Sequence, residues 1–125
     1  MKKETIKKKF DIRERTFDFS LDVIRLARLI PKNDIAAQVV YKQLVRSATS
    51  IGANMEEADS TISTPDFIHK VNIAKKEAQE TKYWLRLSKE FVSSQKVQLL
   101  IAECMEIIKI LAKMIRNSQK KNQSK

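Results

Sequence analysis

Residues 46–59 read RSATSIGANMEEAD and contain Gly52, the one glycine of the chain. Apolar residues follow one another at alternating spacings of four and three on both sides of this glycine, and the phase is not reset there. A loop at Gly52 would shift the phase, so the stretch predicts one continuous helix that contains the glycine. Because glycine inside a helix costs about 1 kcal/mol relative to alanine, we expect a packing reason for it. The full run is Ala37, Tyr41, Leu44, Ala48, Ile51, Met55, Ala58 and Ile62.

Three further runs with the same spacing flank this one. Asn33 or Asp34 is the expected N-cap of the second helix. Thr64 is the expected N-cap of the third, because Pro65 follows it at a position that suits the first turn of a helix. The three runs are Ile12, Thr16, Phe19, Val23, Leu26 and Ile30; Phe67, Val71, Ala74, Ala78, Thr81 and Leu85; and Val97, Ile101, Cys104, Ile108, Leu111 and Ile115.

The four runs predict helices over about residues 11–30, 34–60, 65–91 and 94–118, with basic tails at 1–9 and 119–125. No strand pattern competes with them. Connections of only a few residues favour antiparallel neighbours. The sequence therefore predicts a single all-α domain over residues 1–125, an up-down-up-down antiparallel four-helix bundle.

A packing role for Gly52 follows from folding the second helix back onto the third. The register places Gly52 beside Ile73 and Ala74, where a glycine lets two backbones approach closely. It also sets Arg46 near Glu80 as an ion pair. A tolerated kink without a packing partner is the alternative interpretation. The residues assigned to this packing motif are Arg46, Ala48, Gly52, Asn54, Ala74, Ala78 and Glu80.

Several helices carry a second set of apolar residues away from the predicted core stripe. A bundle that stands alone needs one apolar face per helix, so aromatic and Met residues on a second face favour a buried protein contact. A wide core stripe with ordinary scattered surface residues is the alternative. On the fourth helix the second set is Leu100, Ile107 and Met114. The candidate residues for self-association are Phe17, Leu21, Ile73, Trp84, Leu87 and Phe91.

The formal charge of +10 is concentrated at the two ends of the chain. Residues 1–15 hold seven Lys or Arg and three acids, residues 109–125 hold six and none, and residues 16–108 hold twelve of each. An up-down-up-down bundle brings both ends together, and phosphate backbones are the anionic partner that such a field favours. The candidate nucleic-acid-binding residues are Lys2, Lys3, Lys7, Lys8, Lys9, Arg13, Lys109, Lys113, Arg116, Lys120 and Lys121.

Other features oppose a strong or sequence-specific nucleic-acid site. Four acids, Glu56, Glu57, Asp59 and Asp66, lie at the corner between the second and third helices, at the same end of the bundle. Basic tails also commonly serve only to keep a protein in solution. No aromatic residue accompanies the distal lysines, so neither base stacking nor sequence readout is expected.

Residue patterns for catalysis, metals, membranes or export are absent from the sequence. Asp66 and His69 are the nearest match to a di-iron motif, and there is no second histidine. Cys104 falls on the core line and is interpreted as a small apolar residue. We expect no enzyme activity, no cofactor and no membrane partner. The basic start MKKETIKKKF lacks an apolar signal core, and a lone cysteine fits a reducing compartment, so a cytoplasmic location is expected.

The strings QLVRSATSIGANMEEA (43–58) and DFIHKVNIAKKEAQETKYWLRL (66–87) resemble the four-helix-bundle family of proteins encoded in 23S rRNA intervening sequences. The upstream LARLIP is similar to that family's end of the first helix. The resemblance covers roughly residues 17–90, and it implies an up-down bundle that assembles as a homopentamer without catalytic residues. The family is similar to the accessory protein of diversity-generating retroelements, which implies RNA or DNA and a reverse transcriptase as partners.

Two functions from different classes are consistent with these observations. The first is an oligomeric accessory factor that binds RNA or DNA through phosphates. The second is a protein-interaction scaffold whose basic end docks an acidic protein and which has no nucleic-acid role.

Overall fold

The computed structural model describes residues 11–123, which form four helices: α1 (Ile12–Ala27), α2 (Ile35–Asp59), α3 (Thr64–Ser88) and α4 (Ser94–Gln123). Each helix packs against the next one along the chain, and α1 also packs against α4, which closes the bundle. The described residues contain no strand. The predicted all-α, up-down-up-down antiparallel four-helix bundle is confirmed.

Short polar side chains begin the first three helices. The Asp11 carboxylate accepts backbone N–H groups at the start of α1, and the Asp34 carboxylate does the same for α2 at 2.8 and 3.2 Å. Ser63 caps α3, where its hydroxyl accepts the N–H of Asp66 at 3.2 Å. The expected cap Thr64 is wrong by one residue, because both Ser63 and Thr64 can cap and Thr64 is already helical.

The C-terminal ends of α1, α3 and α4 differ from the expected positions. Both α1 and α3 end three residues early, in turns over residues 28–30 and 89–91. By contrast, α4 continues to Gln123, so residues 119–123 are helical rather than part of a tail. This stretch has neither glycine nor proline, and Lys120 and Lys121 in its last turn suit the negative end of the helix dipole. The predicted tail at 1–9 lies outside the described residues.

The core follows the predicted stripes with one exception on α4. Ile107, which was assigned to the second apolar set, is fully buried, and Ile108, which was assigned to the core, is only partly buried. The side of α4 that carries Ile107 faces α1, because Glu103, one turn earlier, forms a paired hydrogen bond with the Arg15 guanidinium at 2.7 and 2.8 Å. The α1–α4 contact therefore turns Ile107 into the core.

Gly52 lies inside α2, as expected, but its packing partner is α1 rather than α3. A Cβ atom built on Gly52 would lie 3.5 Å from Ser20 Oγ and 3.6 Å from the carbonyl oxygen of Thr16. The expected contact with Ile73 and Ala74 is therefore wrong. The small residues of α2 serve two seams: the Ser20 hydroxyl donates to the carbonyl of Ala48 at 3.2 Å on the α1 side, and the Ser47 and Thr81 hydroxyls form a 2.9 Å hydrogen bond on the α3 side. 

Substitutions at Gly52 should separate helix propensity from packing. Alanine places its Cβ at ordinary contact distances, so Gly52→Ala should raise the free energy of unfolding by about 0.5–1 kcal/mol through helix propensity. Gly52→Leu should push α2 away from the α1 backbone and lower the free energy of unfolding by about 1–3 kcal/mol. Urea denaturation measures both values. Ala102→Leu, at an exposed position of α4, is the matched control, and an equal loss in both leucine variants would contradict the α1 contact.

Candidate nucleic-acid interface

The structure places the predicted basic residues in different surroundings. The predicted lysines of the N-terminal segment, Lys2, Lys3, Lys7, Lys8 and Lys9, lie outside the described residues. Arg13 is at the start of α1, with its guanidinium 3.0 Å from the Asp59 carboxylate at the end of α2. Arg13 therefore bridges two helices and has less charge to offer to a phosphate than its sequence position indicated.

The basic residues of α4 are presented to solvent. Lys109, Lys113, Arg116 and Lys120 are exposed, and their spacings of four, three and four residues place them along one side of the helix. Lys109 is 3.4 Å from the Glu106 carboxylate one turn earlier, in an ion pair whose two side chains are mostly exposed. Because α4 runs to Gln123, this row of cations is held on a helix through its whole length.

The charge of the four helices is divided unequally between the two halves of the bundle. Helices α1 and α2 together hold five Lys or Arg and six Asp or Glu. Helices α3 and α4 together hold eleven and five. Five of the eleven cations lie in residues 109–123, so the basic end of the chain accounts for most of this asymmetry.

Most carboxylates of α3 and α4 are turned toward the other two helices. Glu77 and Glu80 both pair with the Arg46 guanidinium of α2, Glu77 at 3.3 Å. Glu103 of α4 pairs with Arg15 of α1 at 2.7 Å. These pairs remove negative charge from the side of α3 and α4 that faces away from α1 and α2.

Eight of the eleven cations of α3 and α4 are left on the outer side of that pair of helices. Lys82 lies one turn after Ala78, whose carbonyl accepts a hydrogen bond from the Cys104 thiol of α4, and Lys89, two turns on, donates to the Gln98 side chain of α4 at 3.0 Å. We call this surface the outer basic face; its members are Lys75, Lys76, Lys82 and Arg86 of α3 and Lys109, Lys113, Arg116 and Lys120 of α4. Sequence reasoning missed the α3 members, although the seven-residue spacing of Lys75, Lys82 and Lys89 is the signal that could have found them.

The acidic corner between α2 and α3 is partly neutralised within the bundle. Glu57 pairs with Lys70 at 2.7 Å, and Asp59 pairs with Arg13 at 3.0 Å. Glu56 and Asp66 are exposed at the same end. The corner therefore opposes an anion at the end of the bundle more than one on the outer basic face.

The candidate self-association residues form two separate surfaces. Phe17 and Leu21 lie on α1 beside a groove of about 290 Å³ that also reaches Gly52 and Ala53 of α2, and the Phe17 side chain is 55% exposed. The second surface is on α3, at its border with α2. Its members are Ile73, Trp84, Leu87 and Phe91, each of them only partly buried or exposed.

The comparisons with known proteins agree with this fold. The sequence model for 23S rRNA-intervening sequence protein matches residues 8–113. The chain belongs to this family. It is also similar, at 35% sequence identity and a TM-score of 0.77, to a crystal structure of a protein with unknown function from the S23 ribosomal protein family of Bacteroides thetaiotaomicron, covering 84% of this chain and 98% of that one. The comparison with curated proteins gave no match.

In this member of the 23S rRNA-intervening sequence protein family, Cys104 is buried, and burial raises the pKa of its thiol to about 12. The thiol donates a hydrogen bond to the Ala78 carbonyl of α3 at 3.1 Å, which is a packing contact. Within residues 11–123 no group of three metal-ligating side chains comes together. No helix in that part of the chain combines the length and the apolar character that a membrane span needs.

A polar network on α3 holds the single tryptophan of the chain. The Trp84 indole N–H donates to the Glu80 carboxylate at 2.8 Å, and Glu80 also pairs with the Arg46 guanidinium, as the sequence register indicated. These two hydrogen bonds, that from Trp84 being the larger effect, hold the pKa of Glu80 below its ordinary value. The network fixes the ring of Trp84 against α3.

This network should be visible as an acid transition in tryptophan fluorescence. Since the pKa of Glu80 is lowered in the folded protein, its bonds persist above the unfolded-state pKa and are lost as the pH falls through the lower folded value. The emission of Trp84 should therefore change with a midpoint below the usual 4.5 of a glutamate. Glu80→Gln should abolish the transition, and Glu90→Gln, in the turn after the end of α3, should leave it unchanged. A transition that persists in Glu80→Gln would contradict the assignment.

Proposed function

We propose that this protein is a non-enzymatic, oligomeric accessory factor that binds RNA or DNA through the phosphate backbone. The observation that carries the proposal is the outer basic face, where eight cations of α3 and α4 are gathered while three of the five carboxylates of the same helices pair with Arg46 and Arg15. A surface of one charge sign on a rigid scaffold attracts a polyanion and releases the counterions of its phosphates.

The geometry of the outer basic face suits a backbone partner rather than a compact acidic ligand. The cations form one row on α3, from Arg86 to Lys75, and one row on α4, from Lys109 to Lys120. Placed end to end, the two rows extend over about 33 Å at about 1.5 Å per residue. The Cys104–Ala78 contact sets the two rows end to end, because it puts Lys109 at about the height of Lys75. An extended polyanion can contact both rows at once, whereas a single carboxylate or phosphate contacts only one or two cations.

Self-association is the second part of the proposal. The two apolar surfaces lie on different sides of the bundle, one on α1 and one on α3. Contacts between unlike surfaces of identical chains run head to tail and close into a ring when the rotation permits. A ring is consistent with the pentamer implied by the family resemblance, and it repeats the outer basic face once in each copy.

Binding should depend steeply on salt and on the outer basic face. Fluorescence anisotropy with labelled RNA and DNA should show binding at about 50 mM salt that weakens with a log–log slope near −0.9 per duplex phosphate neutralised, or −0.7 for single strands. Lys113→Gln combined with Arg116→Gln should lower the magnitude of that slope by about 1–2. Lys42→Gln, an exposed lysine of α2 on the other side of the bundle, is the matched control. The absence of binding at this salt by the intact protein would contradict the proposal and favour the protein scaffold.

The α3 surface should control assembly. Light scattering coupled to gel filtration should give a mass several times the 14.5 kDa of one chain at micromolar concentration. Leu87→Glu places a charge in the proposed contact without touching the Trp84 network, and it should shift the protein toward monomer with its helical circular dichroism retained. Trp84→Glu should do the same and also remove the bond to Glu80.

Leu99→Glu is the control for assembly, since Leu99 is 74% exposed on α4 beside the α1–α4 groove. It should leave the oligomer intact. A monomeric wild type, or dissociation by Leu99→Glu and not by Leu87→Glu, would contradict the proposed surface.

A further inference from the structure

An exposed aromatic ring lies among the cations of α3. The side chain of Tyr83 is 53% exposed, although tyrosine has a large apolar ring. Lys76 is two turns before it, Arg86 is three residues after it, and Lys82 is its neighbour toward α4. Glu90, in the turn just after the end of α3, is the next carboxylate along the chain. A flat apolar surface is therefore set at one end of the outer basic face.

The ring of Tyr83 is held in place by its neighbours. Its centroid is 5.1 Å from that of Trp84, with the two planes at 75°, an edge-to-face contact. Trp84 is in turn fixed by the hydrogen bond to Glu80, and Glu80 by Arg46. A ring that is already ordered loses little conformational freedom when another flat group stacks on it.

We propose that Tyr83 and the outer basic face together form a binding site for single-stranded nucleic acid, in which a base stacks on the Tyr83 ring and the backbone follows the cations toward α4. The inference rests on the proposed function and specifies its ligand. A duplex keeps its base faces stacked inside, so it can use the cations but not the ring. Single strands expose base faces, and stacking on aromatic side chains with backbone contacts to Lys and Arg is how sequence-independent single-strand sites work.

The same geometry sets the selectivity of the site. Every base has a face that can stack, and the cations contact phosphates, so RNA and DNA single strands of different sequence should bind with similar affinity. The proposed site differs from the expectation from sequence that binding involves no base stacking. That expectation considered only the lysines at the chain ends, whereas Tyr83 lies beside cations in the C-terminal half of α3.

Four probes of about 12 nucleotides test the inference by fluorescence anisotropy with the full chain, since that length is within the usual range of single-strand sites. They are an RNA single strand, a DNA single strand, a DNA duplex and a single strand of abasic sites that keeps the phosphates and lacks the bases. Both base-bearing single strands should bind more tightly than the duplex and the abasic strand. Tyr83→Ala should weaken their binding about fivefold to a hundredfold and leave the other two unchanged, as expected for the loss of one stacked base.

Two controls separate stacking from other effects of the substitution. Tyr83→Phe keeps the ring and should bind like the wild type, and Leu99→Ala removes an exposed apolar side chain elsewhere without effect. Gel filtration of Tyr83→Ala checks that assembly is unchanged. Quenching of Trp84 emission by the base-bearing strands, and not by the abasic strand, is the second readout, because the two rings are in contact.

The outcomes distinguish the inference from the proposed function. If duplex, abasic and base-bearing strands all bind equally and Tyr83→Ala changes none of them, phosphate binding stands and the single-strand site is wrong. If Tyr83→Ala weakens the abasic strand as much as the others, the ring acts through folding or charge placement, and stacking is wrong. If no probe binds, both the inference and the proposed function fail.

Discussion

The Arg46 guanidinium organises the exposed side of α3 more than any other group in the structure. It takes up the carboxylates of Glu77 and Glu80 on the seam between α2 and α3. Arg46 is 45% exposed, so these ion pairs contribute little to the free energy of unfolding. Their effect is on arrangement: two acids of α3 are drawn to one side, and the opposite side is left to Lys75, Lys82 and other cations.

The ion pairs of Arg46 are connected to two aromatic side chains through Glu80. Glu80 accepts from Trp84, and Trp84 supports Tyr83 by an edge contact. A chain of three contacts therefore connects a cation on α2 with a ring on the exposed side of α3. The strings RSATSIGAN and KEAQETKYWL, which carry the family resemblance, contain both ends of this chain.

The sequence predicted what depends on spacing along the chain and missed what depends on angle around a helix. The unbroken phase through Gly52 was enough to predict a continuous α2. The register of α2 folded back onto α3 was enough to bring Arg46 to Glu80. The register sets the position of a residue along the bundle axis but not the side of the helix on which it lies. Gly52 was therefore assigned to α3, although its open side meets α1. The end of α4 was missed for another reason, because no glycine or proline follows Ile115 to mark it.

The α3 members of the candidate site were missed by the same limitation. A charge count along residues 16–108 gives zero, and only the helix faces show that acids and cations have been sorted to different sides. On α3 this sorting leaves two distinct surfaces about 100° apart, with Trp84 toward α2 and Tyr83 toward the cations shared with α4. The proposed contact between copies through Trp84 and the proposed strand on Tyr83 use different rings, and Leu87 of the first surface lies one turn after Tyr83. A ring would repeat the second surface in every copy, and a strand long enough to reach two copies would bind the second one at a high effective concentration. Each copy then needs only a modest affinity, which one stacked ring and a short row of cations can supply.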